Sequence, residues 1–233
     1  ALSPKLNFNI KYPYLLFLIS GGHTQYLTVN KLGDYKRLGT TIDDALGETF
    51  DKTAKLLKLG YPGGPKIEKL AKSGNENKFV LPKPIFHRGE SNLSFAGLKT
   101  AILRIKALIK THKDKKDLAA SFQKTVLDIL YKKTKKAIEQ HLKIHPKNRT
   151  LVVAGGVAAN QQIRITLKRL CLKENFKIYF PDLNLCTDNA AMIALAGLER
   201  FKKKKYDKQN FAVNPRWQLD SKAKFMKGAG IKI

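Results

Sequence analysis

Cysteine is scarce in this sequence, and so is negative charge. Cys171 and Cys186 are the only cysteines among 233 residues, and they show no CxxC spacing. That excludes a disulfide framework and a cysteine-built zinc site, and it suits a reducing compartment. No apolar run approaches the roughly 20 residues needed to cross a bilayer; the one from about Tyr12 to Ile19 is far shorter. No charged-then-apolar leader with a small-residue cleavage site opens the sequence, so a cytoplasmic protein without a membrane is expected. HExxH, GxSxG, GxxxxGK[ST] and GxGxxG are all missing. Their absence removes zinc-protease, serine-hydrolase, P-loop and Rossmann readings.

Aspartate and glutamate number 18 against 45 lysines and arginines, a formal net charge of +27. Only eight of those cations are arginine, the residue on which base-reading proteins lean. The charge fits attraction to a phosphate backbone, and it equally fits the lysine, asparagine and isoleucine drift of an AT-rich genome. A hydrophobic content of 43% with 9% aromatics describes a folded globular chain.

The apolar stretch "YLLFLIS" reads as a buried strand. "HTQYLTVNK" returns antiparallel to it, and "YKRLGTT" follows the turn at Gly33-Asp34 as a third strand. From Thr41 the period changes. Ile42, Ala45, Leu46, Phe50, Ala54 and Leu57 mark a helix with Gly60 as its stop, and Pro65 opens another helix ending near Lys72. Residues 73–93 read as a surface excursion. Helices are expected at 97–110, 115–142, 160–174 and 188–204, with strands at "RTLVVAGG" and "KIYFP". That tail implies parallel strands with helical crossovers.

Two segments share one design, a strand ending in small residues. They are Ser20-Gly21-Gly22-His23-Thr24 and Ala154-Gly155-Gly156-Val157-Ala158-Ala159-Asn160. Without Cβ atoms, backbone N–H groups can close around an anion, and a helix N-terminus adds a favourable dipole. Each alone is also an ordinary turn; the pair favours a nucleotide held between them. Asp44, Glu48 and Asp51 recur at four and three residues, one helix face. They form either a solvated stripe with Glu48–Lys52 and Asp51–Lys55 pairs or a polar wall for ribose hydroxyls, a metal or an ammonium group. Thr187 or Asp188 caps the last helix, or Asp188 faces a metal-bound phosphate. His141 and His145 have a metal-competent spacing, but Pro146 follows directly and the pair reads as a frayed surface terminus. His87 and His112 suggest nothing.

Taken together, "SGGHTQ", "TTIDDALGETFDKTAKLLKLGYPGGP", "LSFAGLKT", "VVAGGVAAN" and "CTDNAAMIALAG" resemble the TsaD family of tRNA threonylcarbamoyltransferases, once called glycoproteases. The likeness runs from about residue 12 to 217, with "NPRWQLD" as its closing motif and 218–233 left as a basic tail. It implies an α/β fold of the actin, Hsp70 and sugar-kinase kind, mainly the second lobe with part of the first missing. The implied reaction moves a threonylcarbamoyl group from threonylcarbamoyl-adenylate to the exocyclic amine of the adenosine 3′ of the tRNA anticodon. By position, the resemblance gives Leu18, Ile19, Ser20, Gly21 and Gly22 to the adenylate phosphate and carbamoyl loop. It gives Asp51 and Gly64 to the nucleotide, Glu68 to the ribose, and Asn160 to the base or sugar. Asp188 would be a ligand of one divalent ion, iron or zinc, and TsaB- and TsaE-like subunits would be partners. The family's HxxxH motif, source of two further metal ligands, would lie upstream of Ala1. Little independent activity is therefore expected, and a truncated, non-catalytic nucleotide- or partner-binding relative is the alternative.

Overall fold

The computed structural model describes residues 1–86, 88–208, 210, 212–213 and 217–223. His87, the start of "NPRWQLD" and all but the first residues of the basic tail lie outside these. The sequence expectation of strands is met. β1 (Tyr14–Ile19), β2 (Thr24–Lys31), β3 (Asp34–Thr40), β4 (Thr150–Ala154) and β5 (Lys177–Tyr179) form one sheet in the order β3-β2-β1-β4-β5. β1, β2 and β3 run as an antiparallel meander, while β1, β4 and β5 are parallel. Parallel neighbours need long crossovers. Here α1 (Leu46–Leu56), α2 (Gly63–Ala71), α3 (Ala96–Ile105) and α4 (His112–Ile144) separate β3 from β4, and α5 (Gln161–Lys173) separates β4 from β5.

Side chains alternate across the sheet as the pleat requires. Leu15, Phe17 and Ile19 of β1 join Tyr26, Leu151 and Val153 in the large core shared with α1 to α5. Tyr14 and Leu16 face the other way, into a smaller cluster with Leu27, Val29, Val152 and Ala154. α6 (Ala190–Lys202) contains no buried residue.

Several local readings are corrected. α1 starts at Leu46, not Thr41, so Asp44 is not on the helix. Asp43 explains the delay: its carboxylate accepts from Phe95 N (2.7 Å) and from Ser94 Oγ, and Thr41 Oγ1 donates to Asp44 O (2.7 Å). These bonds hold the backbone off the helical path. The stop of α1 is Lys58, in the left-handed region at φ 58°, rather than Gly60. Lys58 N reaches Lys55 O (3.1 Å) and Leu59 N reaches Ala54 O (2.9 Å), which satisfies the last carbonyls in the Schellman manner. α2 begins at Gly63, so Pro65 stands third in it. α6 is capped by Asn189, whose side chain accepts from Met192 N, and not by Thr187 or Asp188. The 73–93 segment is anchored: Leu81, Ser91 and Leu93 are buried, and Lys133 donates to the carbonyls of Arg88 (3.2 Å) and Glu90 (2.9 Å).

The histidine pair is not a frayed terminus. α4 continues to Ile144, His141 is fully buried, and its Nδ1 lies 3.0 Å from Thr28 Oγ1. His145 Nε2 meets Asn30 Oδ1 at 2.8 Å. Both histidines tie α4 to β2. Burial, and secondarily His145, pull the His141 pKa down from 6.5 to about 4. A depressed histidine pKa means the unfolded chain takes up the proton first as pH falls. The stability held by neutral His141 is thus fully present above about pH 6.5 and is lost as pH drops towards 4. Between pH 7 and pH 5 the parent is expected to lose about 2 kcal/mol more than His141→Leu. Urea unfolding at the two pH values measures this; equal losses would assign the pH response to other groups.

Candidate functional site

The site begins where β1 stops. Leu18 is half-buried against the smaller core cluster and Ile19 is fully buried in the larger one. Ser20 closes that turn: its N–H donates to His23 O (2.7 Å), and its Oγ accepts from His23 N (2.9 Å) and Gly22 N (3.3 Å). Two of the turn's amides are therefore committed within the turn itself. The Gly22 and His23 N–H groups point inward to Ser20, and Gly21 stands outside that internal set. Thr24 Oγ1 accepts from Leu46 N (2.8 Å), which sets the start of α1 against the turn.

The second glycine turn leans directly on the first. Gly155 has φ +101°, and a methyl group on it would lie 2.3 Å from Ile19 O. Gly47 of α1 is equally confined, with Ser20 O 2.8 Å from where its Cβ would be, and Gly47 N donates to that oxygen (3.1 Å). By contrast, a methyl group on Gly21, Gly22, Gly64 or Gly156 would meet nothing within 4 Å. Confined glycines hold the elements together, and open ones leave room. Gly156 begins a short 3₁₀ turn, Gly156–Ala159, whose first N–H groups have no carbonyl partner among the described residues.

α1 supplies the wall. Lys52 Nζ bridges Asp44 (2.6 Å) and Glu48 (2.9 Å), so the Glu48–Lys52 pair of the solvated-stripe reading is present. Asp51 instead accepts from Gly63 N (2.7 Å) and pins the start of α2. A groove of about 640 Å³ runs past Gly21, Glu48, Asp51, Lys52, Lys55 and Tyr61. Lys52, Lys55 and Tyr61 are site residues that the sequence reading missed. Lys52 and Lys55 were visible there only as helix-face partners.

Glu68 and Asn160 meet at the start of α5. Glu68 Oε1 accepts from Gln161 N (2.7 Å). Asn160 caps the helix by accepting from Ile163 N (3.0 Å), and its Nδ2 lies 3.5 Å from Gln123 Oε1. Asn160 is nearly buried, at 7% exposure, with its carboxamide engaged in these bonds. Arg164, another residue the sequence reading passed over, couples this turn to the 181–186 loop. It donates to Ala158 O (2.6 Å), Pro181 O (2.7 Å) and Cys186 Sγ (3.3 Å). Asp188 follows that loop and is exposed. Among the described residues no group of three or more His, Cys, Asp or Glu side chains could hold a metal ion. Asp188 alone does not make an iron or zinc centre.

The geometry, then, is two strand-end glycine turns in contact, an acidic and lysine-bearing helix against the first of them, and open space at Gly21, Gly22, Gly64 and Gly156. Comparison with known proteins agrees. A family profile described as TsaD, tRNA N6-adenosine threonylcarbamoyltransferase, matches residues 1–195. A Pelagibacter ubique protein named tRNA N6-adenosine threonylcarbamoyltransferase is 62% identical over 234 residues, covering 100% of this chain and 66% of its own length. A Bartonella henselae protein of the same name is 48% identical over 239 residues, covering 99% of this chain and 66% of its own. The chain thus spans about 66% of the length of these relatives. Among solved structures, full-length HypF in a phosphate- and nucleotide-bound form aligns with TM-score 0.60 and 13% identity over 84% of this chain and 34% of that one. At that identity the likeness concerns fold alone, and it upholds the actin, Hsp70 and sugar-kinase kind of architecture.

Proposed function

The chain belongs to the tRNA N6-adenosine threonylcarbamoyltransferase family, and we propose that it forms the adenylate-binding part of such an enzyme. The proposed reaction is attack by the exocyclic amine of a tRNA adenosine on the carbamoyl carbon of threonylcarbamoyl-adenylate. An N–C bond forms, the C–O bond to the phosphate breaks, AMP departs, and the amine gives up one proton. A mixed anhydride is already activated, so the protein's task is to position the donor and stabilise charge as the phosphate leaves.

The observation that carries this reading is the contact between the two glycine turns at Gly155 and Ile19. It brings two small-residue strand ends, far apart in sequence, against each other; the groove beside α1 takes in Gly21 of the first turn and no residue of the second. In the proposed complex the donor phosphate lies by Gly21 and the unpartnered amides after Gly155, where backbone N–H groups and the 3₁₀ N-terminus favour an anion. Ser20 Oγ keeps the first turn in shape. Asp51 holds Gly63 so that Gly64 stays open towards the nucleotide. Glu68 has one oxygen on Gln161 N, leaving the other for a ribose hydroxyl.

An iron or zinc ion at Asp188 would take its further ligands from outside the described residues. Partner subunits of the TsaB and TsaE kind, and a cytoplasmic location, belong to the same proposal. No helix among the described residues is long and apolar enough to cross a membrane.

The test is transfer of labelled threonylcarbamoyl from its adenylate to unmodified tRNA. It is run with this chain alone and with the remainder of the Pelagibacter ubique relative joined to it. Modification is expected in the joined protein and little from the chain alone. Joined protein that binds the adenylate yet modifies no tRNA would overturn the enzymatic reading in favour of a nucleotide-binding relative.

A further inference from the structure

The glycine turns stand at the C-terminal ends of β1 and β4. At the opposite end of the same strands is a second concavity, about 520 Å³, that the proposed reaction does not use. Three segments separated in sequence build it: 9–13 before β1, 147–150 leading into β4, and 175–179 leading into and along β5. Ile10 and Phe176, both nearly buried, lie at its floor.

Its walls are cationic. Lys11, Lys147, Arg149 and Lys177 line it and are all exposed, interleaved with Asn9, Asn148 and Asn175, and no aspartate or glutamate is among the lining residues. Elsewhere cations meet carboxylates, as in Lys83–Asp128 (2.6 Å), Lys124–Glu76 (3.2 Å) and Lys136–Glu139 (2.8 Å). Among the described residues none of the four groove cations forms an ion pair. The neighbouring Glu174 carboxylate is turned to Lys135 (3.5 Å), while its backbone oxygen accepts from Arg149 Nη1 (3.1 Å). Lys177 N donates to Arg149 O (2.8 Å), which fixes the two cationic segments side by side. Tyr179 borders the groove, half-buried against Phe8 with ring centroids 5.2 Å apart.

Diffuse lysine excess does not by itself create this arrangement. Four cations from three segments converge on one hollow, amide side chains stand between them, and an aromatic ring lies at the border. Cations spaced along a channel follow a phosphodiester chain, amides bond its oxygens and sugars, and an aromatic face receives a base. We infer that this groove binds the phosphodiester backbone of an RNA, at the end of the sheet opposite the adenylate cleft. The choice of RNA over other polyanions rests on the proposed tRNA substrate. β1 has six residues, so the two ends of the sheet are roughly 20 Å apart, a span that one folded RNA can bridge.

The experiment measures binding of an unmodified tRNA transcript by fluorescence anisotropy across a salt series. It compares the parent chain, Lys11→Gln/Lys147→Gln/Lys177→Gln, and a control of equal charge, Lys106→Gln/Lys110→Gln/Lys113→Gln. Arg149 is left in place because its side chain and backbone brace the fold, and thermal unfolding checks that both variants remain native. The groove variant is expected to bind about tenfold or more weaker, with the slope of log affinity against log salt reduced by about 3. The control should change far less. Equal weakening of both variants would mean diffuse attraction and would overturn the groove while leaving the adenylate reading intact. A parent chain with no affinity for tRNA would overturn both the groove and the proposed substrate. Equal groove-dependent affinity for single-stranded DNA of the same length would overturn RNA as the occupant.

Discussion

Gly155→Ala is expected to lower the stability of this chain by about 3 kcal/mol or more, the range reached when a strained backbone site and a buried clash combine. Two effects add at that position. The backbone has φ +101°, where a Cβ is disfavoured, and the new methyl would sit 2.3 Å from Ile19 O. Ile19 cannot retreat, because it is fully buried in the core between sheet and helices. For a chain of this size the loss corresponds to a fall in melting temperature of roughly 6 to 12 °C. Thermal unfolding followed by circular dichroism measures it. A melting temperature within about 2 °C of the parent would mean that the contact between the two glycine turns does not brace the site.

The residue next to it should behave in the opposite way. Gly156 has open space where its Cβ would be and is exposed. Gly156→Val should therefore leave the melting temperature nearly unchanged while filling the space assigned to the donor phosphate. Affinity for an adenylate is expected to fall about 100-fold, equivalent to ~2.7 kcal/mol. Titration calorimetry with a non-hydrolysable threonylcarbamoyl-adenylate analogue reads this out. Retained affinity would remove the second glycine turn from the binding site. Adjacent glycines, one a brace and the other a vacancy, give the pair of variants its force: stability and binding should separate cleanly between them.

Much of the fold was legible because it is local. The run Tyr14–Ile19 is apolar on both faces, and both faces are covered. β2 and β3 follow at hairpin distance, and the helical periods of α4 and α5 are long enough to read directly. The misreadings have a common cause in bonds between distant residues. Ile42 and Ala45 fit a helical period, yet Asp43 is claimed by Ser94 and Phe95, some fifty positions away, and the helix waits until Leu46. His141 sits next to a proline-terminated helix end and looked exposed. Its burial comes from Thr28 and Phe176, which only the folded chain brings near. Lys58 takes the left-handed position although Gly60 is two residues on, because the cap geometry is set by where α1 stops.

The site divides along the same line. Two glycine-ended strands were visible in the sequence as a repeated design, and so were the carboxylates after them. Their mutual contact through Gly155 was not. Nor was the role of Arg164, whose three acceptors lie on Ala158, Pro181 and Cys186. The basic groove was equally hidden. Lys11, Lys147, Arg149 and Lys177 form no motif in the sequence, and only parallel pairing of β1, β4 and β5 gathers them at one end of the sheet.

The most direct measurement is a titration of ¹⁵N-labelled chain with the adenylate analogue, followed through the backbone amide resonances. If two strand ends enclose one nucleotide, the amides of Gly21, Gly64 and Gly156 shift together and saturate with a single affinity, while those around Lys147 and Lys177 stay still. Saturable binding that leaves these three glycine amides unmoved, or that moves only one turn, would contradict the shared cleft.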